Sequence, residues 1–163
     1  MQLEGVHHVT CITGDAPGNV EFYAGELGLR MVKKTVNQDD PTVYHLFYAD
    51  ERGSAGADMT FFEYPGAPKG RAGDGMVHTV AFRVGSQESL EFWRTRVGGS
   101  VSDGSLVFED PEGLTLQLVV DSSGEPPLVA VELGGCFGHG VEINKLLAQL
   151  SDIVDCATTQ EDR

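Results

Sequence analysis

The feature that most constrains the fold is an internal repeat with an offset of 70 residues. Shifting the sequence by this distance superimposes three groups of residues: His8 on His78, Phe22-Tyr23 on Phe92-Trp93, and Leu27-Gly28 on Val97-Gly98. Self-similarity at a fixed distance indicates one supersecondary unit that is built more than once. The chain is therefore predicted to contain two similar modules.

Both copies have the same order of predicted elements. A β-rich run comes first, over Val6 to Thr13 and Val77 to Val84,. A helix follows, predicted over about Pro17 to Leu27 and Gln87 to Val97 because apolar residues recur at helical spacing, and a glycine ends each helix,. Further β-propensity runs complete the copies: Tyr44 to Tyr48, Met59 to Tyr64, Leu106 to Phe108 and Leu114 to Val120,. Each module is thus βαβββ in outline.

The repeat also sets the predicted domain boundaries. Residues 1–122 hold the paired modules, with module one over about 4–66 and module two over about 74–122. A linker is predicted over residues 123–135, where Gly, Ser and Pro are frequent,. Residues 136–163 are predicted to form a partial third module, a strand and a helix with a frayed polar tail,. The predicted fold class is α+β: two tandem βαβββ modules that form a curved mixed sheet, with a short C-terminal extension.

The charge and cysteine content argue against several classes of protein. A formal net charge of -14 repels phosphate backbones and anionic lipid surfaces, so nucleic-acid and membrane-surface binding are not expected,. The acidic residues are scattered, as in a solvated surface, and a halophilic source would explain them. No apolar run is long enough to span a bilayer, and the N-terminus has no basic region of a leader,. Three cysteines without a CxxC pair indicate no disulfide framework, and the predicted location is cytoplasmic,.

The opening strand of each copy carries residues that could hold a metal. Alternation along a strand places His8 and Thr10 on one face and His7 on the other, and the repeat gives His78 the place of His8 in copy two,. Two neutral imidazoles with a third oxygen ligand leave open positions on a divalent metal. The predicted metal ligands are therefore His8, His78 and Gln117. For each of them, hydrogen-bonded packing is the alternative role.

Other polar and aromatic residues have predicted supporting roles. His7 is predicted to act as an acid or base beside the metal, and Thr10 to place a hydroxyl there. His45 is predicted to be a packing residue with a satisfied ring, and Gln117 matches Thr60 in copy one. Aromatic residues that could line a substrate pocket, but whose spacing is more typical of core, are Phe22, Phe61, Phe62, Phe92 and Trp93,.

Several runs of the sequence carry a resemblance to a known family. They are Gly5-Val6-His7-His8-Val9-Thr10, residues 19–30 (NVEFYAGELGLR), residues 32–41 (VKKTVNQDDP), Tyr44-His45-Leu46 and Met59-Thr60-Phe61-Phe62. Over roughly residues 3–122 the chain resembles the N-terminal half of hydroquinone-type ring-cleaving extradiol dioxygenases, of the vicinal-oxygen-chelate superfamily. The resemblance implies paired βαβββ modules around a metal, usually Fe(II), that binds a dihydroxylated ring for opening by O2.

The resemblance also implies roles for single residues. His8 matches an iron ligand of that family, and His7 and Thr10 match residues close to the metal. The other two ligands of the family, a His and a Glu, come from a C-terminal half that would follow the third-module strand, Phe137 to Ile143. Smaller superfamily members that resemble glyoxalase I use four strand positions instead, and these positions hold His8, Thr60, His78 and Gln117. A homodimer, or a separately encoded C-terminal half, is expected to complete such a site.

Three functions follow as hypotheses, because fold-level similarity alone does not fix function. The leading one is a ring-cleaving dioxygenase that uses Fe(II), with Mn or Zn as alternatives, and acts with O2 on a hydroquinone or catechol. The second is a glyoxalase-like lyase or isomerase that uses a divalent metal without O2. The third is a non-catalytic module: a small-molecule binder resembling bleomycin-resistance proteins, or a half-protein that needs a partner.

Overall fold

The computed structural model describes residues 6–71, 76–123 and 128–134, and two modules follow one another along them. Module one contains β1 (His8–Thr13), α1 (Ala16–Val20), a π-helical segment (Glu21–Glu26), β2 (Arg30–Val36), β3 (Tyr44–Ala49) and β4 (Asp58–Glu63). Module two contains β5 (Met76–Val84), α2 (Gln87–Val97), β6 (Ser100–Ser102), β7 (Ser105–Glu109), β8 (Thr115–Val120) and β9 (Leu128–Gly134).

Each module forms its own mixed sheet. The strand order is β1-β4-β3-β2 in module one and β6-β7-β8-β5-β9 in module two. The first and last strands of each βαβββ unit pair in parallel, β1 with β4 and β5 with β8, whereas the other neighbours are antiparallel. The α+β class and the predicted repeat are therefore confirmed. Within the described ranges the strands are divided between two sheets of four and five strands.

The two helices differ in how closely they follow their predicted bounds. Helix α2 spans the predicted Gln87–Val97 and begins where the Ser86 side chain accepts from the Ser89 N–H. The first helix begins at Ala16, capped by Asp15, and continues after Val20 as a π-helical segment. Gly28 and Gly98 both have positive φ, +67° and +73°, as expected of residues that end helices,.

Three strands were not located from the sequence, although the βαβββ outline required two of them, β2 and β6. Strand β2 carries Lys33 and Lys34, and it lies at the sheet edge, where charged residues are common and the apolar alternation is lost,. Strand β6 is only three residues long. Strand β9 falls inside the predicted linker, residues 123–135, and pairs with β5. The predicted third module, residues 136–163, lies outside the described residues.

Buried side chains from both modules form one hydrophobic core. Its most buried members are Tyr23, Leu46, Tyr48, Met59 and Phe61 from module one and Val80, Leu90, Leu106 and Leu116 from module two. Of the aromatic residues named from the sequence, Phe22 and Phe61 are buried in this core, whereas Phe92 is exposed. No helix among the described residues is both long and apolar enough to cross a bilayer.

A buried hydrogen bond joins the modules at the turn between β7 and β8, residues 110–113, which we call the docking turn. The Tyr23 hydroxyl donates to Oδ2 of Asp110 over 2.8 Å. The other oxygen of Asp110 accepts from the backbone N–H groups of Glu112 (2.9 Å) and Leu114 (2.8 Å). The same carboxylate thus shapes the docking turn and binds module one.

Two further contacts hold the modules together. Oε1 of Glu112, in the docking turn, accepts from the Thr13 hydroxyl and the Gly14 N–H, each over 2.9 Å. The Arg96 guanidinium donates to the carbonyl of Gly25 over 2.7 Å, at the end of the π-helical segment. A cation there neutralises carbonyl groups that the helix leaves without partners.

Cys11 is predicted to be unreactive in the folded protein. It belongs to the partly buried side chains around the core, and burial, with a smaller contribution from the charge of Asp110, raises the pKa of its thiol to about 12. Because the thiolate is the reactive form, alkylation by iodoacetamide at about pH 8 should be on the order of 100-fold slower than in urea. Peptide mapping by mass spectrometry separates Cys11 from Cys136 and Cys156. Equal rates in the native and unfolded protein would contradict this expectation.

Candidate functional site

The module-one sheet has one face toward the core and one face away from it. Strand register places His8 opposite Asp58, Thr10 opposite Thr60, Thr60 opposite Phe47, and Phe47 opposite Lys33. Since side chains alternate along strands, these residues share the face opposite buried Val9 and Met59. We call it the site face, and its residues are His8, Thr10, Ile12, Lys33, Thr35, His45, Phe47, Asp58, Thr60 and Phe62.

His8 lies at the start of β1 and is accessible to solvent. Partial burial of its ring lowers the pKa of His8, the charge of His7 lowers it further, and Asp58 opposes the shift. A neutral imidazole is the form that binds a metal. Nδ1 of His7 lies 3.0 Å from Nδ1 of His8, so the prediction that His7 faces away from His8 is wrong. His7 precedes β1, and strand alternation does not apply to it.

Thr10 lies beside His8 on the site face, as predicted. The Thr60 hydroxyl donates to Oγ1 of Thr10 over 3.0 Å, and Thr60 is buried while Thr10 is exposed. Because Thr10 accepts this bond, its own O–H is directed to another acceptor. Thr10 can therefore present a hydroxyl donor to a molecule on the site face.

His45 forms part of an aromatic surface at the centre of the site face. Its ring centroid lies 4.0 Å from those of both Phe47 and Phe62. These contacts agree with the predicted packing role. The ring was also predicted to have its hydrogen-bond partners, but Nε2 of His45 is buried without one among the described residues. Burial, followed by the charges of His8 and Lys33, lowers the pKa of His45.

The matching of His78 to His8 is not reproduced by the strand register. Ala81 pairs with Gln117 as Thr10 pairs with Thr60, so Gln117 and Thr60 correspond, as predicted. Thr79, opposite Thr115, then occupies the position of His8. The strand offset is thus one residue longer than the 70-residue repeat, and the register of β5 against β9 shifts between Val77 and Thr79. The side chain of His78 lies outside the described part of the structure.

Gln117 lies in the other sheet from His8. Its amide Nε2 donates to Oγ of Ser105 over 2.6 Å, and the side chain is partly buried. This bond is the hydrogen-bonded role that competes with ligation. The structure therefore brings His7, His8 and Thr10 together in module one and places Gln117 in module two.

The site face offers part of the donor set for a metal. Asp58 lies across from His8 on the neighbouring strand, and burial raises the pKa of Asp58 against the opposing charges of His7 and His8. Asp58 was not among the site residues predicted from the sequence. It precedes Thr60 by two positions in β4, so alternation along the strand would have placed both side chains on the same face. No cluster of three His, Cys, Asp or Glu side chains is found within the described ranges. One imidazole and one carboxylate fit part of a divalent-metal site, and further donors are needed to complete it.

Comparisons with known proteins agree with this architecture. The sequence model of the Glyoxalase/Bleomycin resistance protein/Dioxygenase superfamily matches residues 5–118. MhqA of Bacillus subtilis (strain 168), whose name describes a ring-cleaving dioxygenase, is 39% identical over 135 residues, which are 77% of this chain and 43% of MhqA. The chlorohydroquinone/hydroquinone 1,2-dioxygenase of Sphingobium indicum is 37% identical over 95 residues, which are 57% of this chain and 29% of that enzyme.

A solved structure shares both fold and sequence with the chain. A crystal structure from Bacillus subtilis subsp. subtilis strain 168, described as that of a dioxygenase, has a TM-score of 0.67 and 36% sequence identity. The match covers 80% of this chain and 47% of that one. The chain thus spans less than half the length of each of these three relatives.

Proposed function

Because the chain belongs to the glyoxalase/bleomycin resistance/dioxygenase superfamily, we propose that it acts as part or all of a metal-dependent, ring-cleaving dioxygenase of the extradiol type. The proposed substrates are a hydroquinone or catechol and O2, and the proposed metal is Fe(II), with Mn or Zn as alternatives. The observation that carries the proposal is the combination of His8, Asp58 and Thr10 beside the aromatic surface of His45, Phe47 and Phe62.

Each of these residues has a proposed task. His8 and Asp58 would hold the metal, which would supply Lewis-acid binding of a diol oxygen and activation of O2. His7, with its ring nitrogen 3.0 Å from that of His8, is placed to hold or release a proton at Nδ1,. Thr10 would donate its hydroxyl to a ring oxygen. The aromatic surface would bind the flat substrate by ring contacts and exclude water from it.

The metal site is proposed to be completed by residues from outside module one. A second copy of the chain or a separately encoded C-terminal half would supply them, in keeping with the coverage of 43% of MhqA. His78 and Gln117 remain candidate ligands in this proposal, and Gln117 would use Oε1, because its Nε2 donates to Ser105,.

A glyoxalase-like lyase or isomerase is the second candidate. It rests on the same pair, His8 and Asp58, because a divalent metal held by imidazole and carboxylate ligands can also act as a Lewis acid without O2,. Turnover of a substrate under strict exclusion of O2 would favour this candidate. Consumption of O2 with an aromatic diol would favour the dioxygenase.

The proposal predicts that metal binding depends on His8. The purified chain is reconstituted anaerobically with Fe(II), Mn(II) or Zn(II), and bound metal is measured for wild type, His8→Ala, His78→Ala and His45→Ala. His8→Ala should weaken binding by at least about 100-fold, because it removes a direct ligand. His45→Ala is the matched control and should retain the metal. Full binding in His8→Ala would refute the proposed site, and no bound metal above background in wild type would refute a site completed by this chain alone.

The proposal of a homodimer predicts a specific dependence on salt. With a net charge of -14, two chains repel each other at low ionic strength, and added salt screens the repulsion,. Size-exclusion chromatography with light scattering should therefore show twice the chain mass, more fully at high salt than at low salt. A monomer at every salt concentration would leave a separately encoded half as the route to a complete site.

A further inference from the structure

We propose that Lys33 binds an anionic substituent of the substrate ring, so that the preferred substrates are aromatic diols that also carry a carboxylate. The inference rests on the proposed function of the site face and names the substrate class for it. It draws on the position of Lys33, on the charges around it and on the absence of a competing ion pair among the described residues.

Lys33 lies at the opposite end of the site face from the proposed metal ligand. Thr10, Thr60, Phe47 and Lys33 form one row across the four strands. Neighbouring strands are about 4.8 Å apart, so the row spans about 14 Å. The Lys33 side chain extends back over β3, where Nζ lies 5.6 Å from the centroid of Phe47. The ammonium group is therefore about two strand spacings, or about 10 Å, from the strand that carries His8.

A substituted ring fits between these two ends. The aromatic surface of His45, Phe47 and Phe62 lies in the middle of the site face and offers flat contacts to a ring,. Phe47 belongs to the row, and His45 and Phe62 pair with each other in the next row. With the diol oxygens at the His8 end, a substituent on the far side of the ring is directed toward Lys33. One aromatic ring with a short substituent matches this spacing.

The charges of the site face favour an anion at the Lys33 end. Asp58 lies at the other end, across from His8. Arg30, at the start of β2, donates to the carbonyl of Glu51 over 2.8 Å. The described ion pairs join Arg83 to Asp121 and Arg94 to Glu91, and none among residues 6–71, 76–123 and 128–134 involves Lys33. Its ammonium group is thus available to a carboxylate.

The net charge of the chain makes a local cation necessary for such a ligand. At -14, the long-range field opposes the approach of any anion,. A direct charged hydrogen bond at short distance outweighs this field, which salt in the solution screens. An anionic ligand therefore needs a partner such as Lys33 on the face where it binds.

Lys34 provides a matched control. It is the next residue on β2, and alternation directs it to the other face of the sheet, where Nζ lies 3.9 Å from the ring centroid of Tyr44,. Lys33→Met and Lys34→Met remove the same charge from the same strand. The two variants differ only in the face that loses a cation.

The experiment compares binding of catechol and its carboxylated analogue, 3,4-dihydroxybenzoate, by titration calorimetry, because the carboxylate of this analogue lies on the far side of the ring from the two hydroxyls. The full chain is supplied with Zn(II), which is redox-inert, so that the ring is bound without being consumed. Wild type should bind the carboxylated ring on the order of tenfold more tightly than catechol, as expected for one hydrogen bond between charged groups. Lys33→Met should lose this preference with little change for catechol, and Lys34→Met should keep it.

The outcomes separate this inference from the function on which it rests. Binding of catechol without a preference for the carboxylated ring, or a preference that survives Lys33→Met, overturns the role of Lys33 and leaves the proposed function standing. Failure of wild type to bind either ring overturns both. A preference lost equally in Lys33→Met and Lys34→Met also overturns the inference, because it would reflect the net charge of the chain.

Discussion

Replacing Asp110 by alanine is expected to lower the free energy of unfolding by about 3–5 kcal/mol, as for removal of one partner from a buried charged network. Asp110 is buried and accepts three hydrogen bonds, from the Tyr23 hydroxyl and from the backbone N–H groups of Glu112 and Leu114. The substitution leaves three donors without their acceptor and removes the carboxylate that shapes the docking turn. Urea unfolding followed by circular dichroism measures the loss.

Two tyrosine variants show whether the loss comes from the contact between modules. Tyr23 and Tyr48 are both fully buried, and each donates one hydrogen bond over 2.8 Å, to Asp110 and to Oδ1 of Asn19 respectively. Tyr23→Phe should cost about 1.5–3 kcal/mol, because its acceptor is charged, and Tyr48→Phe about 0.5–1.5 kcal/mol. Equal costs for the two variants would mean that the carboxylate does not strengthen the bond between the modules.

Gly99→Ala is expected to destabilise the protein by about 3–5 kcal/mol, the range of substitutions that force a backbone clash. A Cβ at residue 99 would collide with the carbonyl oxygen of Val107 and lie 3.0 Å from Cβ of Phe108. Both belong to β7, the neighbour of β6 in the sheet, so the obstacle is the sheet itself and has little freedom to move. The φ of +90° adds strain for any residue with a side chain,.

Gly98 is the matched control for this clash. It also has a positive φ, +73°, but a Cβ there would meet nothing within 4 Å. Gly98→Ala should therefore show the backbone strain alone, about 1–2 kcal/mol. Thermal unfolding of the two variants under the same conditions separates the two contributions. If Gly99→Ala were no less stable than Gly98→Ala, the close approach to β7 would not hold in solution.

The parts of the fold that could be predicted are those with strong local signals. Helix α2 has helical periodicity and a glycine at its end, and its bounds were predicted. Strand β2 could not be recognised because its lysines hide the apolar alternation, and pairing with β3 is what makes it a strand. The division of strands between two sheets depends on distant contacts that no local pattern records.

The candidate site was predicted only in part for similar reasons. Alternation correctly put His8 and Thr10 on one face, but it failed for His7, which precedes the regular strand. The 70-residue repeat aligned His8 with His78 as well as the two helices, but the strands of the two modules are offset by one further residue, so Thr79 rather than His78 matches His8 in the register. The position of Asp58 beside His8 depends on the pairing of β4 with β1, which the sequence does not show.

The contacts that join the modules link residues that are far apart in the sequence. Tyr23 and Asp110 are 87 residues apart, and Thr13 and Glu112 are 99 apart. Each sheet, in contrast, is built from the strands of a single module. Bringing distant residues together costs loop-closure entropy, yet each doubling of the loop adds only about 0.6 kcal/mol. Extra residues between the modules would thus slow the docking of the modules during folding more than they would lower the stability of the docked state. The connection can vary in length while the docking turn keeps its place.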